Sequence, residues 1–309
     1  MKIINALKSG FLRSAKVWKA VLIITLALFF LISFFTISVK GVLKSSLRSS
    51  AVTEHLTEGI NLDIVPDLSG NMKNYLSSLS SGLFLMTIAG MILFTFFSGG
   101  LFNSLNFTQG KFSVAQFFRA SAAYFWPFLG ISVIISLIIG FIIFSLGGII
   151  MGISMAGDAV KISGSGIIGI SSLLIFAVVL SVFFLVADYA RAHYSASAGS
   201  TVFKAIGNGF KMTFGSFSSS VPMMLILIIV QVLFVWMMSR LFFIWKPSTG
   251  STLFLMFFAS QLMFFMRILL RSWRYASVIS MMESLEKKAI SIAETRENDI
   301  PINENYPLI

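Results

Sequence analysis

Apolar residues in this chain neither alternate with polar ones, as on a half-buried strand, nor mark a single stripe, as on a surface helix; they fill long unbroken runs. Six such runs are about as long as an α-helix crossing a hydrocarbon core of roughly 30 Å. They lie at 18–39, 82–101, 124–146, 167–187, 221–245 and 253–270. Lipid offers no partner to an open backbone hydrogen bond, so a run of this kind crosses it as a helix. The pattern therefore predicts an all-α fold, a polytopic transmembrane bundle of six spans.

The polar segments between the runs set the orientation. Lys2, Lys8, Arg13 and Lys16 precede the first run, and Lys19 lies at its start. Lys111, Arg119, Lys204 and Lys211 fall in the loops at 102–123 and 188–220, and Arg271, Arg274, Lys287, Lys288 and Arg296 follow the last run. On the other side, Lys40, Lys44, Arg48, Lys73, Lys161, Arg240 and Lys246 are diluted by Glu54, Glu58, Asp63 and Asp67. The positive-inside rule then places both termini in the cytoplasm, N-in and C-in. The first run, charged in front and too long for a signal-peptide core, reads as an uncleaved signal anchor.

Outside the runs, two kinds of segment carry helical periodicity. The outer stretch 40–81 has apolar spacing at Val42, Leu43, Leu47, Ala51, Val52 and Leu56, which predicts a helix along the outer leaflet, becoming a loop near Pro66 and Gly70. After the sixth run, Val278, Ile279, Met282 and Leu285 share one face. That predicts two parts: a transmembrane domain over 1–274, and a cytoplasmic amphipathic helix with a mobile polar tail over 275–309. Two inner segments, Gly110 to Arg119 and Gly199 to Gly207, look alike, each with a glycine and a Ser or Thr before an amphipathic stretch. Ser113 with Gln116 fits a capping box. Either spans two to five are a parallel repeat of hairpins, each with a helix on the inner surface, or these are two ordinary basic loops.

Composition agrees with this picture: 57% hydrophobic and 11% charged residues, with mean hydropathy +0.91, leave too little polar surface for a soluble globule. The net charge of +11 follows from basic residues sorted to one membrane face, so no nucleic-acid partner is expected. Cysteine is absent, which removes thiolate nucleophiles and thiolate metal sites.

Ionisable groups at bilayer depth are costly, so the few near the spans are the candidate contacts for a substrate or for the interface. Asp188 and Arg191, one helical turn apart in Val-Ala-Asp-Tyr-Ala-Arg-Ala-His, form either a gate or headgroup-binding pair or an interfacial ion pair fixing helix depth. Arg267 lies one turn inside the end of span six and is expected to snorkel to the inner interface. Gln231 and Gln261 are expected to hydrogen-bond between helices, with a substrate path as the other reading. Asp158 belongs to the glycine-rich stretch 147–166, a hairpin loop or a re-entrant segment.

Catalytic chemistry finds little to use. His55 and His193 fall on opposite sides, so they cannot share a metal or an active site. The Gly-Ile-Ser motifs at 130–132 and 169–171 resemble those of intramembrane serine proteases, but no histidine lies in a span to activate the serine, and small residues for helix packing explain them better. Gly90, Gly99 and Gly100 read the same way. No phosphate-binding glycine loop is present, and neither an enzymatic activity nor a cofactor or metal is expected.

Around Phe-Leu-Val-Ala-Asp188-Tyr-Ala-Arg191-Ala, followed by a short basic amphipathic segment and another span, the chain resembles a group of uncharacterised bacterial six-helix membrane proteins. That group is similar to the membrane domain of some glycerophosphodiester phosphodiesterases. The resemblance covers about residues 80–240 in pattern and rests on Asp188, Ala190 and Arg191. It implies a bacterial inner-membrane location; the phosphodiesterase catalytic motifs have no counterpart here. The functional expectation is a noncatalytic accessory or assembly module docking a partner, with a small transporter or lipid-handling permease as the alternative. Its expected partners are the lipid bilayer and a membrane protein, either different from this chain or a further copy of it.

Overall fold

A computed structural model describes residues 2–47, 65–106, 112–157, 165–197, 201–245 and 249–298. They form eight helices: α1 (Lys2–Lys16), α2 (Trp18–Leu47), α3 (Val65–Asn106), α4 (Val114–Gly157), α5 (Ser165–Ala196), α6 (Val202–Gly215), α7 (Phe217–Ile244) and α8 (Gly250–Asn298). Six of them, α2 to α5, α7 and α8, are long and apolar enough to cross a membrane, and they contain the six runs read from the sequence. The chain is an all-helical integral membrane protein.

Hydroxyl groups are accommodated within the spans by turning back on their own helix. Thr25 donates to the Val21 carbonyl at 2.8 Å, Thr87 to Leu83 at 2.7 Å, Thr95 to Met91 at 2.7 Å and Ser132 to Phe128 at 2.7 Å. Each bond removes a polar group from lipid without a second helix. The short helices are set off by local breaks. Thr201 caps α6 by accepting from the Lys204 amide at 3.4 Å, and Ser216 interrupts the chain between α6 and α7.

α1 packs along the C-terminal half of α8, so the two ends of the described chain lie on one side of the bundle. The indole Nε1 of Trp273 donates to the Leu7 carbonyl at 2.9 Å, and Arg13 makes a bidentate pair with Glu283 at 2.6 and 2.7 Å. The positive-inside rule expects this side to face the cytoplasm, and it is called the inner side below.

The core occupies the inner half of the bundle. Buried side chains run to Thr25 on α2, from Thr95 on α3, to Ile135 on α4, from Ser181 on α5, to Leu227 on α7 and from Ile268 on α8. None of the residues 26–37, 82–94, 136–145, 176–180, 228–244 or 249–267 is buried. Phe34, Phe141, Phe243 and Phe254 stand out from this outer half. Such exposure costs little in a bilayer: lipid tails are as apolar as the phenylalanines, and helices associate there through close packing and hydrogen bonds rather than through hydrophobic burial.

Glycine supplies the close packing on the inner side. A Cβ on Gly10 of α1 would lie 2.6 Å from the Ser277 amide nitrogen of α8. One on Gly100 of α3 would lie 2.6 Å from the Phe117 carbonyl of α4, and one on Gly209 of α6 would lie 2.6 Å from the Val186 carbonyl of α5. These glycines mark the three most extensive helix pairings, where backbone meets backbone with no room for a side chain. Gly99 shares the α3–α4 crossing, whereas Gly90 has nothing within 4 Å and takes no part in helix packing.

The helices differ from the sequence reading in three places. α4 starts at Val114 and runs unbroken to Gly157, so the first of the two similar inner segments forms no separate surface helix, while the second forms α6. The Gly215-Ser216 break has no equivalent between Val114 and the third-span aromatics Tyr124, Phe125 and Trp126. α3 begins at Val65 and includes Pro66 and Gly70, because proline is tolerated in the first turn, where its missing N–H has no intrahelical partner. α8 continues through 274 without interruption, and Tyr275 to Ile279, Met281 and Met282 are buried, so the amphipathic segment is the extension of span six and part of the core. Residues 48–64, which include His55, residues 158–164, which include Asp158, and the tail from 299 lie outside the described residues.

Candidate functional site

Where α3, α4, α5 and α8 converge, the inner core contains charge. Asp188 is fully buried on α5, about 12 Å along the axis from the end of that helix at 1.5 Å per residue. Its Oδ1 faces Nη1 of Arg191 at 3.2 Å, and its Oδ2 faces Nε of Arg274 on α8 at 2.9 Å. The second contact is a close ion pair rather than an aligned hydrogen bond, since neither Oδ2 nor that Nε has a well-directed partner. Arg191 also reaches α4, donating from Nη2 to the Ser132 hydroxyl at 2.9 Å. One carboxylate thus ties α5 to α8, and one guanidinium ties α5 to α4.

A third arginine completes the cluster. Arg271 of α8 donates from Nε to the Tyr275 hydroxyl at 3.0 Å, and its guanidinium lies 3.5 Å from the centroid of the Phe94 ring of α3. Arg274 lies 5.1 Å from the Tyr275 ring and 5.4 Å from the Phe184 ring. Arg191, Arg271, Arg274 and Asp188 all fall within electrostatic reach of the Tyr275 phenol. The aromatic faces offer the cations a quadrupole where water has been removed.

Next to Asp188, Tyr189 starts a chain of hydroxyls. Ser216 Oγ donates to the Met212 carbonyl at 2.7 Å, so towards Ser220 at 2.7 Å it acts as acceptor. Ser220 then accepts from Tyr189 at 2.8 Å. The chain runs Tyr189 to Ser220 to Ser216 to Met212 and fastens α5 to the break between α6 and α7. Ala190, also buried, faces Gly209, with 3.3 Å between its Cβ and the position a Cβ would take on that glycine. These three neighbouring residues thus have distinct physical work: Asp188 and Arg191 hold charge, and Ala190 allows α6 to approach.

Two open cavities lie elsewhere. A cleft of about 440 Å³ on the inner side is lined by His193, Asn208, Lys211, Met212, Ser216 and Glu286, among others. Asn208 Nδ2 lies 3.1 Å from His193 Nε2, and His193 Nδ1 is buried without a partner among the described residues. A groove of about 470 Å³ in the outer half lies between α2 and α8, lined by Phe29, Ser33, Thr36, Phe257, Gln261 and Phe264, among others.

The candidates from the sequence separate accordingly. Asp188 and Arg191 belong to the cluster. Arg267 is exposed on α8 and has no ion pair among the described residues. Gln261 lines the groove and bonds only its neighbour Ser260, at 3.4 Å, rather than another helix. Gln231 leaves its buried Nε2 without a partner. Neither amide makes the expected bond to another helix among the described residues. In the sequence, Arg271 and Arg274 counted only among the basic residues after the last run, and Ser132 as a packing residue. The Arg-Ser-Trp-Arg spacing did contain the signal, two guanidiniums one turn apart on one helix face.

Among described residues no group of three or more His, Asp or Glu is arranged to hold a metal ion. Compared with protein-family models, with curated proteins and with solved structures, the chain matches none.

Proposed function

We propose that this protein is a noncatalytic membrane module that holds a second membrane component, in keeping with an accessory or assembly role in a bacterial inner membrane. One observation carries the reading. Among the described residues, the polar interactions that join different helices lie in the inner half and connect α1 to α8, α5 to α8, α4 to α5, α3 to α5, α5 to α6 and α5 to α7. The outer halves of the spans carry unburied apolar faces, with no such fastening among the described residues. A locked base with separate outer arms suits a scaffold that receives another transmembrane helix between its arms. The resemblance to membrane domains that accompany a catalytic domain supports the same reading.

The test is extraction of the full chain from its native membrane in a mild detergent, followed by mass spectrometry of what travels with it. A protein partner with at least one transmembrane helix, in fixed ratio, is the expected result. A chain recovered without any such protein sinks the proposal.

A lipid-handling permease is the second reading, favoured by the α2–α8 groove, where Ser33, Thr36 and Gln261 face phenylalanines. Because native cysteine is absent, single cysteines at 33, 36 and 261 report on the groove without background. Labelling by a water-soluble maleimide supports a path; protection of all three counts against it.

A further inference from the structure

Charge in the arginine cluster does not balance. Three guanidiniums, those of Arg191, Arg271 and Arg274, share one carboxylate, and both oxygens of Asp188 are already taken, Oδ1 by Arg191 and Oδ2 by Arg274. Glu283, a partly exposed acid farther along α8, is engaged with Arg13. Arg271 is left with a phenol at Nε and an aromatic face beside it. Its terminal nitrogens, Nη1 and Nη2, have no acceptor among the described residues, and the side chain keeps partial exposure.

From this arrangement we infer that Arg271 presents its guanidinium fork to a phosphate group, with Arg191 and Arg274 supplying the supporting field. Tyr275 holds Nε and Phe94 holds the plane, so the free edge of the guanidinium is aimed before any ligand arrives. Two parallel N–H donors match two oxygens of a phosphate, which lysine cannot reproduce. Uncompensated cations removed from water are costly, and an anion seated against the fork offsets that cost. Asp188 acts as a fixed counter-charge that positions Arg191 and Arg274 and excludes a second carboxylate from the ligand side.

The ligand's source is either a lipid headgroup or free phosphate. Arg271 lies seven and ten residues from Phe264 and Gln261 on one face of α8, and those two line the groove open to the bilayer. An inner-leaflet lipid with its phosphate on Arg271 would lay a tail along this face.

The experiment uses the full chain, delipidated in neutral detergent, and follows its thermal unfolding midpoint and its bound mass by native mass spectrometry. The probes are dioleoyl phosphatidylglycerol, dioleoyl phosphatidylcholine and inorganic phosphate. Saturable binding of a phosphate-bearing probe, weakened at least tenfold by Arg271→Gln and only partly restored by Arg271→Lys, is the expected result. Binding of the lipids alone identifies a headgroup; binding of inorganic phosphate as well identifies a site for the free ion. Arg267→Gln, one turn away and exposed, should leave binding within twofold of the original and controls for general charge. Should Arg271→Gln not fold, Arg271→Lys must still bind more weakly than the unaltered chain. Equal binding by either Arg271 variant, equal loss in Arg267→Gln, or no binding of any probe overturns the inference.

Discussion

The inner and outer halves of this bundle are built from the same kind of sequence and pack differently. Both are rich in phenylalanine and leucine, yet the inner half is closed around a core and the outer half is open. Hydrophobicity cannot account for the contrast, because in lipid it favours neither arrangement. What differs is the placement of glycines at helix crossings and of charges and hydroxyls that reach a neighbouring helix. In a membrane, those features decide where helices join.

Removing the carboxylate at the centre of the inner half should have the largest effect. Asp188→Asn leaves Arg191 and Arg274 without their carboxylate partner, and breaking a buried pair in this way costs about 3–5 kcal/mol. Heating in detergent followed by size-exclusion chromatography should show the variant lost well before the unaltered protein; an unchanged profile would separate the cluster from the stability of the inner half.

A smaller effect is expected where backbones touch. Gly209→Ala places a methyl 2.6 Å from the Val186 carbonyl, and such overpacking costs about 1–3 kcal/mol. Gly90→Ala, in the outer half with nothing within 4 Å, should instead be neutral or stabilise by up to about 1 kcal/mol through helix propensity. The two alanines measured side by side give the comparison its sharpest form: equal effects would remove the distinction between the halves.

The smallest change concerns the fastening of α1. Arg13 and Glu283 are partly exposed, with 21% and 38% of their side-chain surfaces accessible, so screening by water reduces their coupling to about 0.5–1 kcal/mol despite the bidentate geometry. Hydrogen bonding to Glu283 is the main reason the Arg13 guanidinium titrates above its usual range, against the opposing effect of burial. A double-mutant cycle with Arg13→Ala and Glu283→Ala checks the figure, and a coupling above 2 kcal/mol would mean that α1 is held more tightly than its exposure implies.

Spans were legible in the sequence because membrane thickness sets a length that any apolar run must meet. Their inner ends were less so: α8 runs on from Leu270 through Tyr275 and Met282 in one helix, since charged residues end an apolar run without ending a helix. Pro66 and Gly70 suggested a loop but fall at the start of α3, where their helix-breaking effect is weakest. Of the site, Asp188 and Arg191 could be read locally, being one turn apart. Arg274 could not be assigned to Asp188, because their pairing spans 86 positions and depends on how α5 and α8 cross. Likewise, nothing local distinguishes Gly209, which admits α6, from Gly90, which meets open space.

The unbroken length of α8 has a mechanical consequence. At 1.5 Å per residue its 49 residues extend roughly 73 Å, from the outer half of the membrane past the inner core. A stiff rod of that length transmits tilt instead of absorbing it, and α1 grips it where Gly10 meets Ser277 and Arg13 meets Glu283. Because Arg274 and the buried residues that follow it on the same helix belong to the core, a displacement near Gln261 is carried into that core and is not taken up within the helix.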